Sequence, residues 1–308
     1  MSQPEWISDI DIDVALAAKL VTSQFPKLSV VNIEAFGTGF DNAAFLINGQ
    51  IIFRFPHRRI VAKLIKREIA ILPDLAPHLS LLISAPSFIG VASPEYPWPF
   101  AGYQRIEGVT ACAVSLTEAA RAALAEPLAR FLHALHDIDP VPFVKRGLPS
   151  DEMGRLDHEK RLKMVFERRR IFEATGLFEE FKDCFAWLEA HPPVPLDDKE
   201  RRIVHGDLYA RHVILDAKAS PVGVIDWGDV HLGDPAIDIA IAHLTLPPKA
   251  HEAFRNAYGI IDQRTWNVAL YRAIYHAILE LDYGIRANDL GMRKIGGTAL
   301  HLIKSALG

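Results

Sequence analysis

The chain has 308 residues, half of them hydrophobic and 23% charged, with a formal net charge of -4. This length and apolar content suffice for one large or two moderate globular domains with cores of their own. There is no basic excess to neutralise a nucleic-acid backbone and no long block of like charge to mark a tail, which excludes nucleic acid as a main partner.

Cys112 and Cys184 are far apart, without metal-ligand spacing, and fit a reducing compartment. The N-terminus MSQPEWISDIDID is acidic and lacks a basic segment followed by an apolar run, and no later stretch is apolar long enough to span a bilayer. The chain therefore reads as a cytoplasmic monomer with no membrane partner.

In chain order, Val14, Leu16, Leu20, Val21 and Phe25 recur at helical spacing before Pro26 and predict an opening amphipathic helix. From Val30 the texture turns to short β-rich runs, VVNIEAF, AAFLI and IIFRF. Asn48-Gly49 between two of them signals a hairpin, because both central residues of a type I′ turn need positive φ. Residues 30–56 are thus expected as three antiparallel strands. The Gly37-Thr38-Gly39 turn reads in two ways. A plain hairpin turn needs no ligand; a phosphate-covering loop would use backbone N–H groups that glycine leaves accessible. Arg54, within IIFRF, either faces solvent or points into a cleft to pair an anion. The next helix, AKLIKREIAILPDL, carries Glu68, which is either exposed beside Lys66 and Arg67 or paired to Arg54 over the phosphates of a nucleotide.

Residues 77–100 are rich in proline, with strand candidates LLISA and SFIGVA, and a loop through Pro94 and Pro99 leads into the strand FAGYQRI. Composition then changes from β-rich to helix-rich. This places an N-terminal lobe at 1–103, a hinge at 103–110 and a C-terminal lobe at 111–308, with a cleft between the lobes. Ser115-Leu116-Thr117-Glu118 has the spacing of a capping box and predicts a helix to Asp137, bent at Pro127. Residues 151–174 are expected as a charged helix whose Arg168-Arg169-Arg170 run is a solvated face, and residues 178–189 as another helix ended by Pro192-Pro193. There is no internal repeat. Beyond Asp238 the chain is again helical, with Trp266, Tyr271 and Tyr275 as core residues.

The segment 203–238 concentrates chemistry. Residues 203–204, 213–215 and 221–225 are short apolar strands; the first stops at His205-Gly206-Asp207 and the third at Asp226-Trp227-Gly228. Both aspartates are thereby delivered to strand ends, a common way of aiming side chains into a cleft. One carboxylate can accept a hydroxyl proton while the other holds a divalent cation that bridges phosphate oxygens, the division of labour that phosphoryl transfer requires. Gly206 allows a tight turn beside the base.

HGDLYARHVILD, followed by GVIDWGD and GDPAIDIA, resembles the aminoglycoside phosphotransferase family, including its macrolide kinase branch. GFDNAAFLI, FRFP, Glu68, FAGYQRIEG and LARFLHALH fall in the family's order. The resemblance implies an α+β, protein-kinase-like bilobal fold, with an antiparallel β-rich N-terminal lobe and a mainly helical C-terminal lobe. It implies Asp207 as catalytic base, Asp226 as the main magnesium ligand, and Arg54 with Glu68 as phosphate-binding cation and helix partner. Gly37, Thr38, Gly39 and Asn42 would cover the phosphates, and Gln104 and Ile106 would receive the nucleotide base in the hinge. His205 and Asp238 would order the catalytic loop.

Two positions depart from the pattern. Arg54 stands where many relatives have Lys, keeping the charge and adding a bidentate fork. His212 stands where aminoglycoside kinases usually have a metal-binding Asn, and macrolide kinases resemble this chain in having His there. His212 is thus either a second metal ligand, although magnesium prefers oxygen, or a cleft histidine hydrogen-bonded to the catalytic loop.

The expected activity is transfer of the γ-phosphoryl group of ATP or GTP, with Mg2+, to a hydroxyl of an aminoglycoside or macrolide antibiotic. The other readings are a small-metabolite kinase of choline or sugar type and a nucleotide-binding pseudokinase. A metal hydrolase using His205, Asp207, His212 and Asp226 leaves the β-rich lobe and the DPAID segment unexplained. A polycationic acceptor would need acids gathered from Glu179, Glu180, Asp183, Glu280, Asp282 and Asp289. A macrolide would need an apolar pocket, for which Trp266, Tyr275 and Tyr283 near Glu280 and Asp282 are candidates.

Overall fold

The computed structural model describes residues 9–38 and 42–308. Asp13 opens helix α1 (Val14–Gln24) by accepting the Leu16 N–H at 2.8 Å, which satisfies one of the donors a helix start leaves free. Strands β1 (Ile33–Thr38), β2 (Asn42–Ile47) and β3 (Ile51–Pro56) follow. Asn48 (φ 51°) and Gly49 (φ 71°) both adopt the positive φ expected of the β2–β3 turn. After helix α2 (Arg59–Leu75) come β4 (Leu82–Ile83), β5 (Pro86–Gly90) and β6 (Phe100–Gln104).

Five of these strands form an antiparallel sheet in the order β1-β2-β3-β6-β5. Strand alternation puts Phe45, Phe53, Phe55 and Phe100 on one face against α1, with Phe55 and Phe100 stacked at 4.6 Å between centroids. The opposite face carries Arg54, Ala101 and Tyr103, the last two packed against Ile65 of α2. Gly37 and Thr38 belong to β1 rather than to a turn, paired with Ala44 and Ala43 beyond an irregularity after Ala35. Gly39 lies outside the described residues.

The chain continues through β7 (Val109–Thr110), α3 (Glu118–Ala123), α4 (Ala125–His136), α5 (Val141–Lys145), α6 (His158–Ala174) and α7 (Phe178–Ala190). It then forms β8 (Arg202–Val204), β9 (Val213–Leu215), β10 (Pro221–Val224) and β11 (His231–Gly233). Helices α8 (Ala236–Ile239), α9 (Ile241–Thr245), α10 (His251–Tyr258), α11 (Gln263–Arg286) and α12 (Leu290–Leu307) close the fold. A second sheet has the order β4-β10-β9-β7, with β4 parallel to β10. β8 pairs with β11, a strand of three residues that sequence periodicity is too short to reveal.

Several local expectations are corrected. Thr117, not Ser115, caps α3 by accepting the Ala120 N–H at 3.2 Å. The helix breaks at Leu124 rather than bending at Pro127, since the proline ring clashes with the carbonyl four residues earlier and is tolerated in the first turn of a new helix. The charged helix starts at His158 with Asp157 as its cap, because Asp151 folds the preceding residues into turns by accepting the Met153 and Arg155 N–H groups. Its arginines do more than face solvent: Arg168 pairs with Asp282 at 3.5 Å, and the Arg169 guanidinium lies 4.2 Å from the Phe178 ring centroid.

Two buried clusters hold the C-terminal half. One joins α4 and strands β8 to β10 with Ile71, Leu72 and Leu75 of α2; the other joins α6, α7, α11 and α12. The fold is α+β, with an antiparallel sheet in its N-terminal region and helices dominating its C-terminal region. No helix among the described residues is long and apolar enough to cross a membrane.

Candidate active site

β8 ends at Val204, and the next three residues turn sharply. Gly206 has φ +88°, and a Cβ there would lie 2.5 Å from the Asp229 carbonyl oxygen, so the turn demands glycine. Asp238, fully buried at the start of α8, accepts the His205 N–H at 2.7 Å and the Gly206 N–H at 2.9 Å, with His136 Nε2 at 3.3 Å. Burial opposes its charge, but the His136 imidazole and the backbone donors outweigh it and hold the carboxyl below the usual range. His205, also buried, directs Nε2 at the Ile225 carbonyl at 3.0 Å, and its other nitrogen accepts the Asp207 N–H at 3.3 Å. These contacts fix the backbone that presents Asp207, whose side chain is 29% exposed.

The second aspartate follows β10. Asp226 has φ +67°, uncommon for a residue with a Cβ, and its side chain is 52% exposed. His212 connects the two loops: Nδ1 lies 2.7 Å from the Asp207 carbonyl oxygen and Nε2 lies 3.3 Å from Asp226 Oδ2. Both ring nitrogens face acceptors, which the imidazolium satisfies by donating from each. Burial opposes that charge, but the Asp226 carboxylate prevails and pushes the His212 pKa up. Reciprocally, burial would raise Asp226, yet His212 and then Arg54 lower it.

Arg54 reaches from β3 to the same place. Its Nη1 is 3.2 Å from both oxygens of Glu68, and its Nη2 is 3.6 Å from Asp226 Oδ1. Glu68 sits on the buried face of α2 with no exposure, and Tyr103 donates its hydroxyl to Glu68 Oε2 at 2.6 Å. Burial pushes the carboxyl upward against the pull of Arg54 and Tyr103, while the arginine is held firmly charged by its carboxylate neighbours.

The sequence-expected residues separate into two groups. Asp207, His212, Asp226, Arg54 and Glu68 form one connected chain of contacts. Gly37 shares a cross-strand row with Arg54 through Ala44, two strands away, or about 10 Å. Asn42 begins β2 opposite Pro56, with its Oδ1 buried and without a partner among the described residues. Gln104 pairs with Ile51, about 10 Å along the sheet from Arg54, and Ile106 lies against Gly223 of β10.

Other site residues escaped sequence reasoning. Arg155 donates to the Gly206 carbonyl at 2.8 Å and to Asp229 at 3.0 Å, and Asp151 holds its third nitrogen at 2.7 Å. It thereby ties the loop of Asp207 to the loop of Asp226. Arg67, read as a solvent neighbour of Glu68, donates to the Gly228 carbonyl at 3.2 Å. From α11, Arg272 Nη2 lies 3.2 Å from Asp207 Oδ1 and His276 Nδ1 lies 4.0 Å from the same oxygen. His276 Nε2 faces Glu280 at 3.5 Å. The spacing of Arg272, His276 and Glu280, four residues apart along an apolar helix, is the signal that could have found them.

The candidate acceptor residues do not assemble into one acidic surface. Glu179 pairs with Lys182, Glu180 with His301, and buried Asp282 with Arg286 and Arg168, while Asp289 caps α12. Trp266 packs on His243, and Tyr275 is buried with its hydroxyl on the Arg155 carbonyl. Glu280 is the acid of that group that adjoins Asp207, one imidazole away.

A strand cation anchored by a buried helix glutamate, facing two loop carboxylates across a cleft, is the arrangement of a kinase-like phosphotransferase. Comparison with known families agrees. Residues 32–273 match the model of the phosphotransferase enzyme family, and the chain belongs to that family. Among solved structures it is similar to the GDP complex of aminoglycoside 2′-phosphotransferase-IIIa, at 24% identity and a TM-score of 0.70 over 96% of this chain and 100% of that one. It is also similar to macrolide 2′-phosphotransferase type I, at 19% identity and a TM-score of 0.62 over 94% of this chain and 98% of that one. A curated relative, the uncharacterized protein YcbJ of Bacillus subtilis (strain 168), is 23% identical over 142 residues, 45% of this chain and 44% of that protein's length.

Proposed function

We propose that this phosphotransferase moves the γ-phosphoryl group of ATP or GTP to a hydroxyl of a small molecule, with residues 1–103 and the hinge holding the nucleotide and residues 111–308 supplying the catalytic loops. The single observation that carries the reading is the contact chain from Glu68 through Arg54 to Asp226, His212 and Asp207. Arg54, oriented by Glu68, presents its guanidinium to the phosphates, and Gly37, Thr38 and Asn42, at the facing ends of β1 and β2, border them. Gln104 and Ile106 border the nucleotide base. Asp207 orients the acceptor hydroxyl and takes its proton as the oxygen attacks phosphorus.

The residues suit magnesium with one protein carboxylate as its anchor. Asp226 is half exposed and held ionised, which suits a cation that keeps several waters and is completed by phosphate oxygens. When bound, magnesium would neutralise negative charge on the phosphates as the phosphoryl group transfers. His212 donates from both nitrogens in this arrangement, so serving as a second ligand would require it to give up its Nε2 proton.

For the acceptor, an aminoglycoside or a macrolide is the reading supported by the names of the similar solved structures. A small-metabolite acceptor is favoured by one specific observation: Arg272 Nη2 lies 3.2 Å from Asp207 Oδ1, so a polycation brought to Asp207 meets a fixed cation beside it. The test is a panel of antibiotics and of choline, sugars and hydroxy acids, each with ATP and with GTP and magnesium, read as phosphorylated product by mass. Product from any acceptor supports the reading; nucleotide binding without product from any of them supports the pseudokinase.

A further inference from the structure

We infer that the acceptor carries an anionic group, carboxylate or phosphate, besides the hydroxyl it offers to Asp207. This group, rather than the whole acceptor, enters the small pocket between the catalytic loop, α11 and α12, whose free space suits a group of about one or two waters' size. The inference rests on the reading of Asp207 as the base. Tyr209, Ala210, His276, Glu280, Arg121 and Lys294 are among the residues that line the pocket. The pocket adjoins the reacting position, because Tyr209 lies two residues beyond Asp207 and His276 Nδ1 is 4.0 Å from Asp207 Oδ1.

The charge balance there is positive. Arg121 donates one nitrogen to the Thr245 carbonyl at 3.3 Å and Lys294 donates to Ser115 Oγ at 3.0 Å, which leaves each with further donors for a ligand. Arg272, one helical turn before His276, adds a third cation beside Asp207. The one carboxyl in the lining is Glu280, and burial, followed by the Asp207 charge, pushes its pKa up to about 8. At neutral pH it is a hydrogen-bonding acid rather than a counter-ion for an amine.

Unmet hydrogen-bonding capacity points the same way. Arg272 is 5% exposed and its guanidinium lies 4.8 Å from the Tyr275 ring centroid, yet its Nε and Nη1, like Glu280 Oε2, have no hydrogen-bond partner among the described residues. Buried groups of this kind are normally satisfied, and the guanidinium donors that Asp207 leaves over suit an anion. A polyamine brought against these three cations would be repelled, and its amines would find no ionised partner in the lining.

The test uses three acceptors of one ring framework, glucuronate, glucose and glucosamine, with kanamycin as the polycation. Each is offered with magnesium and ATP or GTP for phosphorylation, and with magnesium and a non-hydrolysable triphosphate for a thermal shift. The expected result is that glucuronate is turned over or bound about tenfold or more better than glucosamine, and that Lys294→Glu and Arg121→Glu reverse the order. Equal handling of the three sugars, or a preference for glucosamine or kanamycin, overturns the inference. Nucleotide binding by the wild-type protein without an anion preference sinks the acceptor inference alone; no nucleotide binding removes the phosphotransfer reading and the inference with it.

Discussion

At the scale of single residues, the histidines divide by what surrounds them. His212 faces a carboxylate and a carbonyl, whereas His243 is 2% exposed, packed on Trp266 at 4.3 Å, with neither ring nitrogen hydrogen-bonded to a side chain among the described residues. Burial, then the neighbouring His251, lowers the His243 pKa to about 3. A histidine depressed in the folded state stabilises fully above its unfolded value near 6.5, and that contribution is lost as pH falls toward the folded value. Between pH 7 and pH 5 the loss is about 2 kcal/mol for this group. Denaturant titrations at the two pH values should therefore show His243→Phe losing about that much less stability than the wild type. An identical loss in the two proteins would mean that His243 is protonated in the folded state. The placement of Asp207 and Asp226 after two short strands, joined through His212, was legible in the sequence, because both stand where short apolar runs stop. Arg155 and Arg272 were not: Asp151 and His276 stand four residues from them in sequence, but the bonds to Gly206, Asp229 and Asp207 that place them in the site are decided by tertiary structure.

Among the elements, the strands and helices were read well where periodicity runs for several residues, as in β2, β3 and the Asn48-Gly49 turn. It failed where elements are two or three residues long. Leu82–Ile83 joins the sheet of β9 and β10, and β8 takes β11 as its partner, pairings that no local pattern could select. These short pieces depend on side chains to stay in register, and Arg155 is the clearest case. Its bonds to the Gly206 carbonyl and to Asp229 couple the two aspartate loops. Arg155→Met should therefore lower kcat by about 10²-fold, as small misplacements of reacting groups do, while KM for the nucleotide moves much less. Arg155→Lys should restore part of the loss. A variant that loses thermal stability but keeps wild-type kcat would show Arg155 to be a fold residue only.

For the molecule as a whole, α2 links the two regions. Ile65 lies beneath the sheet, Ile71, Leu72 and Leu75 enter the helical core, and Glu68 holds Arg54 between them. A nucleotide spanning Arg54 and Asp226 would bind both regions at once, and ligand that binds only the folded state stabilises it by about 2.7 kcal/mol at a hundredfold excess over Kd. Thermal melts with ATP or GTP should accordingly shift upward, more so with magnesium, and Asp226→Asn should abolish the magnesium-dependent part. A shift of equal size with and without magnesium would remove Asp226 from metal binding. The bilobal, α+β class was legible because composition changes near residue 105 and the motifs keep a family order. The acceptor was not, because the acids a polycation would need could not be placed on one surface from sequence, and in the fold they are spread over α7, α11 and the start of α12, mostly engaged with basic neighbours.

The claim on which the rest depends is that Asp207 handles the proton of the acceptor hydroxyl. The direct measurement is a single-turnover assay of phosphoryl transfer by wild-type and Asp207→Asn protein, on whichever acceptor the panel identifies, with nucleotide binding checked in parallel. Transfer should slow by about 10²- to 10⁴-fold in the variant while the nucleotide still binds. Equal transfer rates in the two proteins would contradict the account.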